Sequence, residues 1–208
     1  MPGPKLDPVA SDPSLPGTVD VVIIGGGIVG VCTALELVER GLKVAICEKG
    51  EIGCEQSSRN WGWVRLTHRD LREMPLMVES VRLWKGLDAR IEGDTGYRQC
   101  GVTFTCATDA ALAEERIWLE HLKDYQIPAK LLTRDEALAQ FDGLDLDIKG
   151  ALYNPHDGRA EPQKAAPAIA RAVQARGGTV HQNCAVRVVE TEAGKISGVV
   201  TEQGRIAC

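Results

Sequence analysis

The chain has 208 residues, with 24 Lys and Arg against 29 Asp and Glu, for a formal charge of −5. That length accommodates one large domain or a domain and a half. The lack of a basic excess argues against nucleic acid or an anionic membrane surface as partner. Seven cysteines, odd in number and without a CxxC pair, fit a reducing cytoplasm better than a disulfide scaffold or a zinc site. Four histidines show no metal-ligand spacing.

Met1 to Gly17 is rich in Pro, Asp and Ser and lacks the basic and apolar regions of a secretory signal, so it reads as a flexible leader. The apolar run Val19 to Ile24 is too short to span a bilayer and suits a strand buried on both faces. Ile28, Val31, Leu35 and Val38 then recur at helical spacing up to Arg40, and Gly41 stands where a helix C-cap wants glycine. Lys43 to Cys47 is a second apolar strand. Strand, helix and strand with tight links make a right-handed βαβ unit.

Gly50 to His68 is loop-like and contains Trp61 and Trp63. Asp70 to Ile91 has helical periodicity, and Tyr97 to Thr105 alternates like a strand. Asp109 to Tyr125 is an amphipathic helix capped by Thr108 or Asp109. Thr133-Arg134-Asp135-Glu136 has capping-box spacing and opens a short helix. Gly150 to Tyr153 is a strand leading into the turn Asn154-Pro155-His156-Asp157-Gly158. Pro162 to Arg176 is a helix ended by Gly177-Gly178. Thr179 to Val189 and Lys195 to Thr201 are strands joined at Ala193-Gly194.

Gly25-Gly26-Gly27-Ile28-Val29-Gly30 is a G-x-G-x-x-G run between a strand and a helix, and the acidic Glu48 closes the next strand at dinucleotide-fingerprint spacing. Each glycine has a task. Gly25 permits the tight turn, Gly27 leaves room for a pyrophosphate against bare backbone, and Gly30 lets helix and strand pack closely. The backbone from Gly25 through Gly30 then offers N–H groups and a partial positive charge to phosphate. Glu48 can accept from ribose hydroxyls and disfavours a 2′-phosphate. A glycine loop kept only for its turn geometry is the competing explanation. The fingerprint alone leaves NAD and FAD open.

The next stretch, Glu55-Gln56-Ser57-Ser58-Arg59-Asn60-Trp61-Gly62-Trp63-Val64-Arg65, resembles the glycine and D-amino-acid oxidase-like family of FAD oxidoreductases, which includes sarcosine oxidase. Leu83-Trp84, Gly101-Val102-Thr103-Phe104, the Asn154–Gly158 turn with Glu161-Pro162, and Gly177-Gly178-Thr179-Val180 extend the likeness over nearly the whole chain. The resemblance implies an α/β fold: a Rossmann-like FAD-binding βαβ domain with an incomplete sheet, joined to part of a mixed-sheet α+β substrate domain. It divides the chain into a leader at 1–17, a first FAD-binding part at 18–69, a partial substrate domain at 70–149, and a return to the FAD domain at 150–208.

The resemblance also implies roles. Ser57 and Ser58 donate to phosphate or merely start a turn; Arg59 neutralises the pyrophosphate or stays solvated. Lys49 lies on the nucleotide side, Asn60 and Gly62 approach the flavin ring, and Val186 sits beside the adenine. Trp61 and Trp63 wall the flavin or belong to a core. Arg65 pairs with a substrate carboxylate, as a bidentate guanidinium suits, or belongs to a surface cluster with Arg69 and Arg72. His68 receives no role, and no catalytic residue is assigned.

Family members continue past the position of Cys208, so the chain reads as the N-terminal portion of a longer enzyme. The expected activity is FAD-dependent oxidation of the C–N bond of an amino acid or secondary amine in the cytoplasm, with oxygen or a carrier as electron acceptor. The alternatives are an NAD-dependent dehydrogenase, which predicts further parallel strands directly after Glu48, and a non-catalytic nucleotide-binding fragment.

Overall fold

The computed structural model describes residues 5–141, 143 and 145–208. Residues 1–4 of the expected leader, and positions 142 and 144 of the expected partial substrate domain, lie outside the described residues. The chain divides into two compact units: Met1–Gly62, Leu87–Gly96 and Glu161–Cys208 form the first, and Trp63–Gly86 with Tyr97–Ala160 the second.

In the first unit, β1 (Val21–Ile24), α1 (Ile28–Glu39) and β2 (Val44–Cys47) make the expected βαβ unit, with β1 and β2 parallel in the register Val21 to Val44 through Ile24 to Cys47. The helix stops where the sequence says: Arg40 caps it and Gly41 takes a left-handed φ of 84°. Val31, Ala34, Leu35 and Val38 are its buried stripe. Each larger member of that stripe contributes about 1.5–3 kcal/mol, an upper estimate. Late in the chain, α5 (Pro162–Ala175) packs an alanine-rich, almost wholly buried face against α1. It delivers β8 (Thr179–His181) parallel to β2, giving the sheet order β1-β2-β8.

The expected strand from Thr179 to Val189 is two strands. Asn183 turns left-handed (φ 50°) and donates its N–H to the Gly50 carbonyl, while Cys184 N–H donates to the Glu48 carbonyl. The chain therefore leaves the parallel sheet and restarts as β9 (Val186–Glu192). β9 pairs with β10 (Lys195–Thr201), and β10 with β11 (Gly204–Ala207), in an antiparallel sheet. The β9–β10 link has positive φ at Ala193 and Gly194, as a tight hairpin requires.

Residues 5–17, expected as flexible leader, are tied down. Asp12 N–H donates to the Val180 carbonyl (2.8 Å), and Val180 N–H donates to the Asp12 carboxylate (2.7 Å). The segment follows the outer edge of β8, a row of backbone groups that a sheet edge leaves open.

The second unit holds β3 (Trp63–Val64), paired antiparallel with β7 (Gly158–Arg159), and a sheet ordered β4 (Val102–Cys106), β6 (Gly150–Asn154), β5 (Lys130–Thr133). β4 begins only at Val102 because Gly101 is left-handed (φ 73°) and breaks the run from Tyr97. α2 (Met74–Ile91) starts later than expected: the Asp70 carboxylate accepts the Arg72 N–H in a local turn, and Pro75 then sits in the first helical turn. α3 (Asp109–His121) has Thr108 as cap, its side chain accepting from Ala111 N–H. α4 (Arg134–Leu138) carries the full capping box of Thr133 and Glu136. Val64, Leu66, Met74, Val81, Tyr97, Leu122 and Ala160 form one core cluster of this unit, and Leu132, Ala137, Ile148 and Ala151 another.

Candidate functional site

The turn between β1 and α1 is built by three glycines with three different constraints. Gly25 has a φ of 104°, a conformation that an L side chain rarely adopts. A Cβ on Gly30 would overlap the Gly25 carbonyl oxygen and lie 3.2 Å from Ile23 Cγ2, so the start of α1 rests directly on β1. A Cβ on Gly27 would meet only the Ser57 hydroxyl, at 3.1 Å. The space in front of Gly27 is therefore open, as a phosphate-binding turn needs.

Gly26 has a reason that spacing did not reveal: its Cβ would overlap Ile52 Cδ1 and lie 3.2 Å from Glu48 Cβ. Its N–H donates to Glu48 Oε2 at 2.7 Å, while Gly50 N–H donates to Oε1 at 2.8 Å. Glu48 is buried and aimed at the turn. Two of the roughly four acceptor positions of its carboxylate remain for other donors.

Gly27 is the N-cap of α1 but supplies no side-chain bond. Ser57 supplies one from the loop, accepting the Ile28 N–H at 2.8 Å. Its hydroxyl proton is still available to an acceptor. The N–H groups of Val29 and Gly30 stand in the same first turn, where a helix has no internal acceptors for them. Ser58 differs from its neighbour: it is buried, and its hydroxyl donates to the carbonyls of Cys54 and Glu55. It fixes the short 3-10 turn Gln56–Ser58 and does not present its hydroxyl to the glycine turn.

Asn60 is likewise occupied by its own loop. Its amide donates to the Gln56 and Ser57 carbonyls, and its Oδ1 accepts the Gly62 N–H at 2.7 Å. Gly62 needs to be glycine, with a φ of 71°. Arg59 and Lys49 both pair with Glu55, at 3.8 and 3.7 Å, on the exposed face of the loop. Such exposed pairs contribute about 0–1 kcal/mol. Val186 opens β9 and packs with the cluster of Val19, Ala45, Cys47 and Cys184.

Arg65 belongs to the second unit. Its guanidinium lies over the rings of Trp63 (5.3 Å) and Phe104 (5.6 Å) and donates to the Thr67 carbonyl. Burial, reinforced by the nearby Arg69, makes its proton easier to lose than that of a free arginine. Most of its N–H donors remain available for a carboxylate. His68, left-handed at φ 55°, is held by Glu115 at 2.8 Å and by the edges of Phe104 and Trp118.

The residue that sequence reasoning missed in this unit is Asp157. Fully buried, it accepts from Leu66 N–H (2.6 Å), Thr67 N–H (3.4 Å), the Thr67 hydroxyl (2.5 Å) and the Asn154 amide (2.8 Å). It thereby fixes the backbone next to Arg65. Burial raises the proton affinity of its carboxyl, against the pull of those hydrogen bonds and of Arg65. In the sequence Asp157 shows only as one residue of the turn Asn154–Gly158, with no task of its own.

Two features bear on the choice of cofactor. No further parallel strand follows Glu48 directly: the chain runs through the Ser57 loop into β3, and the third parallel strand is β8, far downstream. Residues 20–208 match the family model described as "DAO: FAD dependent oxidoreductase". The chain belongs to this family.

Among curated members of the DAO family, the chain is similar to sarcosine oxidase subunit beta from Rhizobium meliloti (31% identical over 196 residues, 91% of this chain and 47% of that protein). It is similar also to mitochondrial sarcosine dehydrogenase from Homo sapiens (31% over 210 residues, 95% of this chain and 23% of that protein). Among solved structures, L-amino acid deaminase from Proteus myxofaciens, in complex with anthranilate, superposes with a TM-score of 0.93 at 33% identity, covering 99% of this chain and 47% of that one. The chain thus spans about half or less of the length of these relatives. The family's cofactor is FAD, and the relatives are oxidases, dehydrogenases and deaminases of amines and amino acids. Among the described residues, no helix is long and apolar enough to cross a membrane, and no group of His, Cys, Asp and Glu is arranged to hold a metal ion.

Proposed function

We propose that the protein oxidises the C–N bond of an amino acid or secondary amine, holding FAD at the β1–α1 turn and the substrate carboxylate at Arg65. The observation that carries this reading is the open face of Gly27, beside a carboxylate turned inward and a hydroxyl seated on the helix N-terminus. These residues fit the pyrophosphate and ribose of FAD. The backbone N–H groups of Gly27, Val29 and Gly30 would meet phosphate oxygens, aided by the positive end of α1. Ser57 would donate its free proton to the same oxygens, and Glu48 would accept from the ribose hydroxyls.

FAD, when bound, supplies the chemistry, accepting two electrons and a proton from the carbon that bears the nitrogen. The protein's own part is binding and orientation. Arg65, backed by Trp63 and Phe104 and held by the Asp157-anchored turn, offers parallel N–H donors to a carboxylate. Stacking on two rings restricts the guanidinium, so less freedom is lost when substrate arrives. The division expected from the sequence, 18–69 and 150–208 for the cofactor and 70–149 for the substrate, differs in its bounds from the two units, since 63–69 and 150–160 lie in the second and Leu87–Gly96 in the first. On this proposal the first unit serves the cofactor and the second the substrate.

The test is an absorption spectrum of the purified protein. Oxidised-flavin bands that bleach anaerobically with an amino acid or secondary amine are the expected result. A protein that carries no flavin and takes none up overturns the reading.

A further inference from the structure

The segment from Leu6 to Asp12 is bound more extensively than covering a strand edge requires, and one side chain, Gln182, connects it to Ile52, which packs against the glycine turn. We propose that this segment and Gln182 form a strap that sets the position of Ile52 and Gly53, and through them of Gly26 in the glycine turn. The consequence for cofactor retention rests on the FAD reading above.

Gln182 follows β8 directly, and its amide is used at both ends. Oε1 accepts the N–H of Ile52 at 2.8 Å, and Nε2 donates to the carbonyl of Val9 at 2.8 Å. The first partner can only donate and the second can only accept, so the amide has one usable orientation. Breaking either side leaves the other hydrogen bond without its geometric support.

On the turn side, Ile52 is 1% exposed, and its Cδ1 occupies the place a side chain on Gly26 would take. Gly53 N–H donates to the Gly26 carbonyl at 3.0 Å. Gly26 is thus held from its carbonyl by Gly53 and from its N–H by Glu48. Gln182 is the group that fixes the first of these supports.

On the strap side, Arg171 donates to the Pro8 carbonyl (2.9 Å) and Gln174 to the Ala10 carbonyl (2.9 Å). The Ser11 hydroxyl accepts Gln182 N–H (3.0 Å), and the Asp12 carboxylate accepts from Gln174 (2.8 Å) and Val180 (2.7 Å). Leu6 Cδ2 lies 3.9 Å from the Cβ position of Gly53, so the start of the strap touches the same wall. A cover for β8 alone needs the bonds to Val180; the reach to Ile52 and Gly53 is what makes it a positioning device.

The experiment is amide hydrogen exchange on the full ligand-free chain, combined with FAD titration followed by flavin fluorescence. Gln182→Leu is expected to speed exchange at residues 50–54 and 25–28 at least tenfold while leaving Val44–Cys47 at the wild-type rate. Loss of one such hydrogen bond then weakens FAD binding about fivefold. Asp12→Ala acts from the strap alone and touches nothing in the turn. It should move the same two segments in the same direction, to a smaller extent.

Exchange confined to residues 9–12 and 179–182 in Asp12→Ala would reduce the strap to an edge cover and overturn the proposal. So would unchanged exchange at 25–28 in Gln182→Leu, or a uniform rise through Val44–Cys47, which marks general destabilisation. A wild-type chain that takes up no FAD would sink the cofactor reading, while the exchange rates would still decide the strap.

Discussion

Gly27→Val separates a pocket from a packing constraint, because the glycines of one short turn are glycine for different reasons. Gly27 has ordinary extended dihedrals, φ −73° and ψ 175°, that any residue adopts. Its new Cβ would meet only Ser57 Oγ, at 3.1 Å, which a small rotation of a serine relieves. The folding cost is therefore about 1 kcal/mol or less, or about 2–4 °C in melting temperature for a chain of this size. On the ligand side the isopropyl group fills the space from which phosphate oxygens reach the first N–H groups of α1, at about 2.9 Å. Losing two charge-assisted hydrogen bonds at about 1.5–3 kcal/mol each weakens FAD binding by roughly two to four orders of magnitude. Fluorescence titration with FAD and a thermal melt by circular dichroism read the two effects separately. Gly30→Val is the control, since its Cβ would overlap the Gly25 carbonyl and should lower the melting temperature as well as the affinity. Gly27→Val protein that binds FAD as tightly as wild type would refute the assignment of phosphate to this turn.

Three further outcomes follow from the site and the buried polar groups. Arg65→Ala should raise the Michaelis constant of carboxylate substrates by about 10–100-fold with little change in turnover, since a charge-assisted pair contributes about 1.5–3 kcal/mol; an unchanged constant returns Arg65 to a purely structural place. Asp157→Ala leaves the Leu66 and Thr67 N–H groups and the Asn154 amide without their acceptor, at about 1–3 kcal/mol each before relaxation. Thermal unfolding should show that loss, while Asp157→Asn, which keeps one acceptor oxygen, should lose clearly less. His181 is fully buried in β8, with Nε2 on the Thr179 hydroxyl, and burial holds its proton affinity below the ordinary histidine range, against the pull of the nearby Asp12. The unfolded chain, titrating near pH 6.5, takes up a proton that the folded chain declines, so stability should fall as pH drops below about 6.5. His181→Gln should flatten that part of the stability–pH curve, and a curve of unchanged slope would count against the buried neutral imidazole.

What the sequence discloses is what depends on neighbours in the chain. The βαβ unit, the Gly41 stop, the Thr108 cap and the Thr133 capping box all rest on residues within a few positions of one another, and all stand where the spacing put them. The tasks given to Gly25 and Gly30 are of the same kind, because the distance from a turn to its own helix is set by local geometry. The failures are long-range. Ser57 and Ser58 are adjacent and identical, yet one reaches the Ile28 N–H across 29 positions while the other is sealed under its own loop. Asp157 acts 91 and 90 positions away, on Leu66 and Thr67, and looks like an ordinary turn residue until β3 and β7 are paired. The leader shows the point most clearly. Its composition of Pro, Asp and Ser lacks apolar periodicity, the primary local signal of order. What orders it is the open edge of β8 and the side chains of Gln174 and Gln182, more than 160 positions downstream. A polar segment without a pattern of its own can still be fixed when a sheet edge supplies the backbone partners that its sequence does not announce. Ser57 and Gln182 in the first unit and Asp157 in the second show the same thing from the side-chain end: each hydrogen-bonds across 29 positions or more, a reach that no local pattern announces.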